Sequence, residues 1–375
     1  MARNHSLYWM RDLAGRRAAA LQPGTARTLL RPMLAYCSAQ WQAETLDLAR
    51  HALAAAQLYV DLAEPDQALG FLGKALPILE RQTAGRAADL AAAHLAAGEA
   101  HLLAGGPGPA LEHLLAAAGF RGLFGEPDEA PELALKLALA YAHLAAVPQA
   151  LQFARWALGF QQRRHGVLHL RTAITNFLLA QLIGEDSGFA ADSHAEREVL
   201  LRRAIGTLRQ TRLDDAFLGH GLIALGELHV DMGDLHGAIA TLEEAVTVVK
   251  RCRGQQHVHL AWAKAALGQA RARSGHREAA DGLLRQALDI ARAQPFPDRA
   301  LLEAILDPLA KVSYDLMRLS DHVELSDELK RLRSLRGRPD AAELPREAAP
   351  ESLPAFAALA WSQDDPGDRQ LASLG

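Results

Sequence analysis

The sequence predicts an all-α protein, an α-solenoid of about seven helix-turn-helix repeats. Three observations lead to this prediction. Half of the 375 residues are hydrophobic but only 5% are aromatic, and the many Ala and Leu residues favour closely packed helices over β-sheets. A set of small and apolar residues recurs about every 42 positions. Glycine or proline falls between the apolar segments, where paired helices would have to reverse.

The repeat is clearest between residues 225 and 287. Because residues three and four apart share one face of a helix, its small residues would let two helices approach closely. A glycine after the first helix would end it in the left-handed conformation that this residue adopts without steric cost. The two copies, 42 residues apart, are Leu225, Gly226, Gly233, Ala238, Leu242 and Ala245, then Leu267, Gly268, Gly275, Ala280, Leu284 and Ala287.

Fainter copies extend the array in both directions, so seven repeats are expected between residues 48 and 336. Successive copies are 42, 40, 42, 46, 42 and 45 positions apart, counted over Ala56, Gly98, Ala138, Ala180, Gly226, Gly268 and Ser313. Proline supports the same boundaries, because a residue without an N–H is tolerated in the first turn of a helix. The prolines expected near the start of second helices are Pro65, Pro107 and Pro148.

The fourth repeat is expected to contain a loop insertion. The stretch GEDSGFAAD (184–192) precedes Ser193 and Glu196, which have the spacing of a capping box. A capping box marks the start of a helix, so the second helix of this repeat is expected to begin directly after Ser193.

Two flanks lie outside the array. Residues 1–47 are expected to form an N-terminal helical cap, with a helix around ARTLLRPMLAYCSAQWQ (26–42) over the first repeat. Residues 337–375 are rich in Pro, Asp and Glu and are predicted to be disordered. They contain an apolar segment, LPAFAALAW (353–361). This segment is either an inert tail or a peptide that folds back on the array or binds a partner.

The pattern of a small residue at the eighth place and Ala at the twentieth and twenty-seventh places resembles the tetratricopeptide repeat family. The period is longer than the usual 34 residues and is similar to the longer variety of kinesin light chains and of bacterial activator sensor regions. The resemblance covers about residues 48–335 and implies a right-handed superhelix with a concave groove. The family's bulky fourth place departs from the pattern at Ala52, His94, Ala134 and Lys264.

The resemblance implies that the ninth and thirteenth places of each first helix face the groove. The acidic candidates precede the basic ones along the chain, which would orient a charged ligand. Alternatively, each candidate only forms part of a solvated helix face. The Lys/Asn clamp of chaperone-binding members is absent, because Leu53 and Gln57 occupy its places. The candidate partner-binding residues are Gln57, Asp61, Glu99, His143, Gln181, Glu227, Asp231, Gln269, Arg273, Tyr314 and Arg318.

Nothing in the sequence predicts catalysis or a cofactor. The motifs GxxxxGK[ST], GxSxG, HExxH and Cys-x-x-Cys do not occur. The sixteen histidines lack metal-ligand spacing, and His101 and His229 occupy the eleventh place, where the family packs helices together. A net charge of −4 argues against a nucleic-acid partner.

The expected function is therefore a scaffold or adaptor that binds a peptide or partner protein segment in the groove. The alternative is a regulatory sensor module that binds a peptide or small effector and acts on a transcription or signalling partner. The sequence has no signal-peptide core and no apolar run of about 18 residues, so a cytoplasmic protein without a membrane partner is expected. The oligomeric state is left open.

Overall fold

A computed structural model describes residues 23–81, 87–120, 129–187, 191–211, 215–294 and 298–334. Within these ranges it contains fifteen helices and no strand, which confirms the all-α prediction. The whole of the predicted tail and the first 22 residues of the predicted cap lie outside the described residues, so the predicted domain boundaries stay predictions. None of the described helices is long and apolar enough to cross a membrane.

The N-terminal unit extends to Phe160 and consists of one single helix followed by helix pairs. The single helix packs on the first pair, where its Cys37 is buried in the same apolar cluster as Leu48. The helices are α1 (Pro23–Gln40), then α2 (Leu46–Asp61) with α3 (Pro65–Arg81), α4 (Ala87–Ala104) with α5 (Pro107–Gly119), and α6 (Glu129–His143) with α7 (Val147–His165), the last of which continues past the end of the unit.

The C-terminal unit begins at Gln161 and contains four helix pairs. In each pair the two helices pack against one another, and each second helix packs on the first helix of the next pair. The pairs are α8 (Leu170–Ser187) with α9 (Ala191–Thr211), α10 (Asp215–Met232) with α11 (Leu235–Arg253), α12 (Val258–Arg273) with α13 (Arg277–Arg292), and α14 (Arg299–Asp315) with α15 (Leu319–Ser334). The predicted seven helix pairs are thus confirmed.

The two helices of a pair are joined by a turn that contains one residue in the left-handed conformation. In five of these turns the next residue donates its N–H to a carbonyl five positions earlier, as Gly106 does to His101 and His276 does to Arg271. Glycine supplies the positive φ in three turns, but alanine or methionine supplies it in the other three. The six residues are Ala63, Gly105, Ala145, Gly233, Gly275 and Met317, with φ between 56° and 89°.

This turn corrects the predicted register of the last repeat. Arg318 donates its N–H to the carbonyl of Ser313 over 2.9 Å, as His276 does to Arg271. Met317 is therefore the equivalent of Gly275, 42 positions earlier, and the spacing of 45 inferred from the sequence is wrong. The eighth place of the last repeat is held by Ala310. The sequence concealed this because the turn residue is a methionine and not a glycine.

Small residues at the eighth place let the two helices of a pair come into contact. A Cβ atom on Gly226 would lie 2.4 Å from Cγ of Leu242 on the partner helix. The equivalent distances are 2.6 Å from Gly98 to Leu114 and 2.8 Å from Gly268 to Leu284. Such distances are far below van der Waals contact, so the packing requires glycine at these places.

The fourth repeat contradicts the predicted loop insertion. Helix α8 continues to Ser187 and helix α9 begins at Ala191, so most of residues 184–192 are helical. Ser193 lies inside α9 and its side chain is buried, so it cannot cap the helix as its spacing suggested. Ala180 and Leu201 are 21 positions apart, whereas Gly226 and Leu242 are 16 apart. Six of the nine residues 184–192 thus lengthen the two helices.

Candidate partner-binding site

In the N-terminal unit, one predicted groove residue is held in a sheltered ion pair. Lys136 of α6 donates from Nζ to a carboxylate oxygen of Glu99 on α4 over 2.8 Å. The two side chains are only 10% and 12% exposed, and Glu132 lies 3.4 Å from the same ammonium group. Breaking a pair this far from solvent is costly, because the remaining charge loses its compensation. Glu99 therefore joins one first helix to the next.

The other predicted residues of this unit are half-buried. Gln57 and Asp61 lie one turn apart on α2. His143 is the last residue of α6, and its Nε2 atom is buried without a hydrogen-bond partner. Burial lowers the pKa of the His143 imidazole, so the ring stays neutral at pH 7. A neutral ring can donate or accept one further hydrogen bond at Nε2.

In the C-terminal unit, two predicted acidic residues lie one turn apart on α10. Glu227 is half-buried and Asp231 is exposed. Burial and the carboxylate of Asp231 raise the pKa of Glu227 to about 7, and Arg197 opposes this rise only in part. The charge of Glu227 is thus less well compensated than that of Glu99.

Arg197 belongs to this site although its position on a second helix gave no sequence signal. Its guanidinium lies against α8, where a Cβ atom on Gly184 would be 2.7 Å from Cζ of Arg197. The Nε atom of Arg197 donates to the carbonyl of Ala180 over 3.2 Å. Burial lowers the pKa of Arg197, while Asp231 and Glu227 raise it. Because Gly184 has no side chain, Arg197 on the second helix α9 can approach the carboxylates of Glu227 and Asp231 on the first helix α10.

Three further predicted residues lie on the first helices of this unit. Arg273 donates from its guanidinium to the carbonyl of Val230 over 3.1 Å, which places it at the end of α10 beside Asp231. Gln181 on α8 and Gln269 on α12 are half-buried. The structure thus brings Glu227, Asp231 and Arg273 together with the unpredicted Arg197.

The prediction for Tyr314 and Arg318 is not supported, because the corrected register moves both residues. They occupy the twelfth and sixteenth places, while Lys311 and Asp315 hold the ninth and thirteenth. Arg318 donates to the buried carboxylate of Asp281 on α13 over 2.6 Å. Arg318 therefore connects two repeats and is not equivalent to the other predicted groove residues.

The raised pKa of Glu227 predicts a dependence of stability on pH. Between pH 4.5 and about 7 the unfolded chain releases this proton while the folded chain retains it, so stability falls as the pH rises. Glu227→Gln should lack this loss. Urea unfolding at pH 5 and pH 8 should show the variant gaining about 1–2 kcal/mol on wild type at the higher pH, after allowance for partial exposure.

The unfolding free energies of wild type and Glu227→Gln are compared with one another at each pH. The titration of the histidines then contributes equally to both proteins and cancels in the difference. Asp231→Asn is the control, because it removes the repulsion and should recover part of the same gain. An equal stability difference at both pH values would contradict the raised pKa of Glu227.

Histidines pack together in the second repeat. The Nδ1 atoms of His94 and His113 are 3.0 Å apart, and the ring of His101 stacks on His113 with centroids 5.5 Å apart. Burial lowers the pKa of all three. In the fifth repeat, His229 is buried against Glu198. Both eleventh-place histidines thus pack between helices, and no set of three metal-binding side chains suited to an ion occurs within the described ranges.

Residues 220–293, which contain α12, α13 and most of the preceding pair, match the sequence profile of the tetratricopeptide repeat. Residues 220–293 are therefore tetratricopeptide repeats. No curated protein sequence matches the chain.

Solved structures with the same tetratricopeptide-repeat fold cover most of the chain. The apo form of RapI has a TM-score of 0.60 at 11% identity, over 89% of this chain and 98% of its own. A Rap protein complexed with competence and sporulation factor has a TM-score of 0.56 at 13% identity, over 88% and 98%. The quorum sensor NprR from B. thuringiensis has a TM-score of 0.54 at 13% identity, over 88% and 99%. At these identities the likeness concerns the fold.

Proposed function

We propose that the chain is a scaffold or adaptor that binds a peptide or a partner protein segment along its first helices. Two classes of residue in the fifth repeat support the proposal. The repeat anchors Gly226, Leu242 and Ala245 are buried, so they build the array. The side chains at the ninth and thirteenth places of the same repeat, Glu227 and Asp231, are polar and reach solvent.

The observation that carries the proposal is the incompletely compensated carboxyl of Glu227. Its pKa near 7 means that its surroundings hold the charge poorly. A hydrogen-bond donor or a cationic group from a partner would stabilise the charged form of Glu227, and part of this interaction energy would contribute to the binding free energy. Arg197 and Arg273 nearby supply cationic groups for a carboxylate or carbonyl of the same partner. The site thus suits an extended peptide that carries both kinds of group.

The named relatives support binding as the function class. One is a Rap protein in complex with competence and sporulation factor, and another is a quorum sensor. The likeness to a quorum sensor supports a regulatory sensor as the alternative function. In that case a bound peptide or effector would change the conformation of the array, and the changed array would act on a signalling partner. We further propose that the chain acts in the cytoplasm and without catalysis of its own; neither of its two cysteines, 215 positions apart, forms a disulfide.

The experiment that tests the proposal is selection from a peptide array by the full-length chain. Wild type should select a set of peptides. A variant with Glu227→Lys and Asp231→Lys should bind them at least about 10-fold more weakly, because charge reversal at a contact costs about 1.4 kcal/mol or more. Binding would be measured by fluorescence anisotropy.

The matched control carries the same change of charge on a second helix. Glu278 and Asp289 of α13 are exposed, and Glu278→Lys with Asp289→Lys should leave the affinities unchanged. Equal losses in both variants, or none in either, would remove support for the first-helix site. Under the sensor alternative, a selected peptide should also shift the solution scattering profile of the wild type.

A further inference from the structure

The last helix pair exposes four large apolar side chains. The end patch consists of Tyr314, Met317, Leu319 and Val323, which are 56%, 79%, 53% and 56% exposed. The residues of the end patch are close together along the chain. Leu319 and Val323 lie one turn apart on α15, and the ring of Tyr314 lies 5.3 Å from that of His322.

The corrected register shows how the end patch differs from the repeat before it. Forty-two positions before its members stand Ala272, Gly275, Arg277 and Asp281, which are small or charged. Eighty-four positions before them stand Val230, Gly233, Leu235 and Ile239, so the patch repeats apolar places of the fifth repeat, where Leu235 and Ile239 are half-buried.

Position Val323 would face the next repeat if another one followed. Its equivalent Asp281 is only 6% exposed, because Arg318 of the following repeat covers it over 2.6 Å. Val323 stays open in the described part of the chain. The end of a solenoid needs a cover or a polar outer surface, since each repeat buries its face only against neighbours.

The remainder of α15 is already polar where the previous second helix is apolar. Ser326 and Lys330 stand at the places of Leu284 and Leu288. The apolar surface is thus limited to the first half of α15 and the turn before it. Four side chains offer only part of the ~800 Å² per partner that a stable protein dimer buries. A short peptide fits this patch better than a second copy of the chain.

We propose that residues 353–361 of the same chain, LPAFAALAW, dock on the end patch. This segment is the apolar part of the sequence that follows α15, and it contains Phe356 and Trp361. Residues 337–375 contain seven acidic and three basic residues, and acids lie on both sides of the apolar segment. Lys311 and Lys330 near the patch are already paired with Asp307 and Asp327, and Asp315 and Glu324 beside the patch are exposed acids. The proposed docking therefore depends on apolar contact and not on complementary charge.

The length of the intervening chain also fits docking within one molecule. Eighteen residues lie between Ser334 and Leu353, and a random-coil chain of that length has a root-mean-square span of about 23 Å. The path from Ser334 back to Leu319 along the helix is about 22 Å at 1.5 Å per residue. A linker whose mean span matches the distance gives the highest effective concentration for the second contact.

Hydrogen exchange on the full-length chain tests the proposal. With Phe356→Ser and Trp361→Ser, amides of residues 316–325 should exchange about 10-fold faster, because the covering segment is lost. The control carries Leu371→Ser and Leu374→Ser, which remove the same number of large apolar side chains from the tail outside the segment. The control should match wild type. Equal exchange in all three proteins would overturn the proposal.

A crosslink distinguishes docking within one chain from docking between copies. In a Cys252→Ser background, Val323→Cys and Ala358→Cys should form a disulfide in monomers upon mild oxidation. Mixing the two variants that each carry one of these introduced cysteines in addition to the buried Cys37 should give no crosslinked dimer. A crosslink that forms only between chains would overturn docking within the chain and identify a second copy as the occupant. Neither result depends on the peptide site on α10, so the proposed function can fail independently.

Discussion

A Lys136→Met variant should lose about 3 kcal/mol of unfolding free energy, because it leaves the Glu99 carboxylate without its cation in a sheltered place. The ammonium of Lys136 lies 2.8 Å from Glu99, and both side chains are almost covered. Glu132, 3.4 Å from the same ammonium, would add repulsion once that cation is gone. Urea denaturation followed by circular dichroism measures the loss, which should fall on the transition that reports the N-terminal unit.

The double variant Lys136→Met with Glu99→Gln is the control. Removing both charges leaves no uncompensated carboxylate at this contact, so most of the stability should return. Arg50→Met is a second control, since Arg50 pairs with Asp89 but is 50% exposed. Its loss should be below about 1 kcal/mol. If Lys136→Met and Arg50→Met were equally mild, the burial of the Lys136 pair would be of no energetic consequence.

A Gly226→Val variant should be destabilised by about 2–3 kcal/mol, because the new side chain meets Leu242 in a packed core. The Cβ atom alone would lie 2.4 Å from Cγ of Leu242, so α10 and α11 must separate. The loss should appear as a lower urea midpoint of the C-terminal unit.

Gly282→Ala in α13 is the matched control. A Cβ atom there meets nothing within 4 Å, so the variant should gain about 0.5–1 kcal/mol from the higher helix propensity of alanine. A further variant that combines Gly226→Val with Leu242→Ala should recover stability relative to Leu242→Ala with Gly226 intact. Failure of this recovery would mean that another contact accounts for the cost.

The sequence was sufficient to predict the helix pairs because their determinants are local and repeated. Gly226 and Gly268 are required at each pair contact, and Pro65 and Pro107 each begin a helix. The last turn was misplaced because Met317 adopts the left-handed conformation that the pattern assigns to glycine. The fourth repeat was misjudged because burial of Ser193 depends on its tertiary surroundings, which a capping-box spacing does not report.

The candidate site was predicted less completely than the fold. Glu227 and Asp231 could be named because they occupy fixed places of a first helix. Lys136 stands at the sixth place of its repeat, an inward place of the family, and could have been included on that ground. Arg197 could not, since it lies on a second helix and comes near the acids only because Gly184 leaves space. The residue spacing within a first helix or within a second helix does not predict such a contact between the two helices.

The packing of each helix against its neighbours in the chain has a consequence for how the protein is made. Every substantial helix contact in the described ranges joins helices that are adjacent in sequence or separated by one other helix. Proteins built from such short-range contacts fold quickly and can begin at any point. A pair that has emerged from the ribosome therefore meets its packing partner after one more repeat has been synthesised. The growing chain should seldom expose more than one repeat's apolar face at a time.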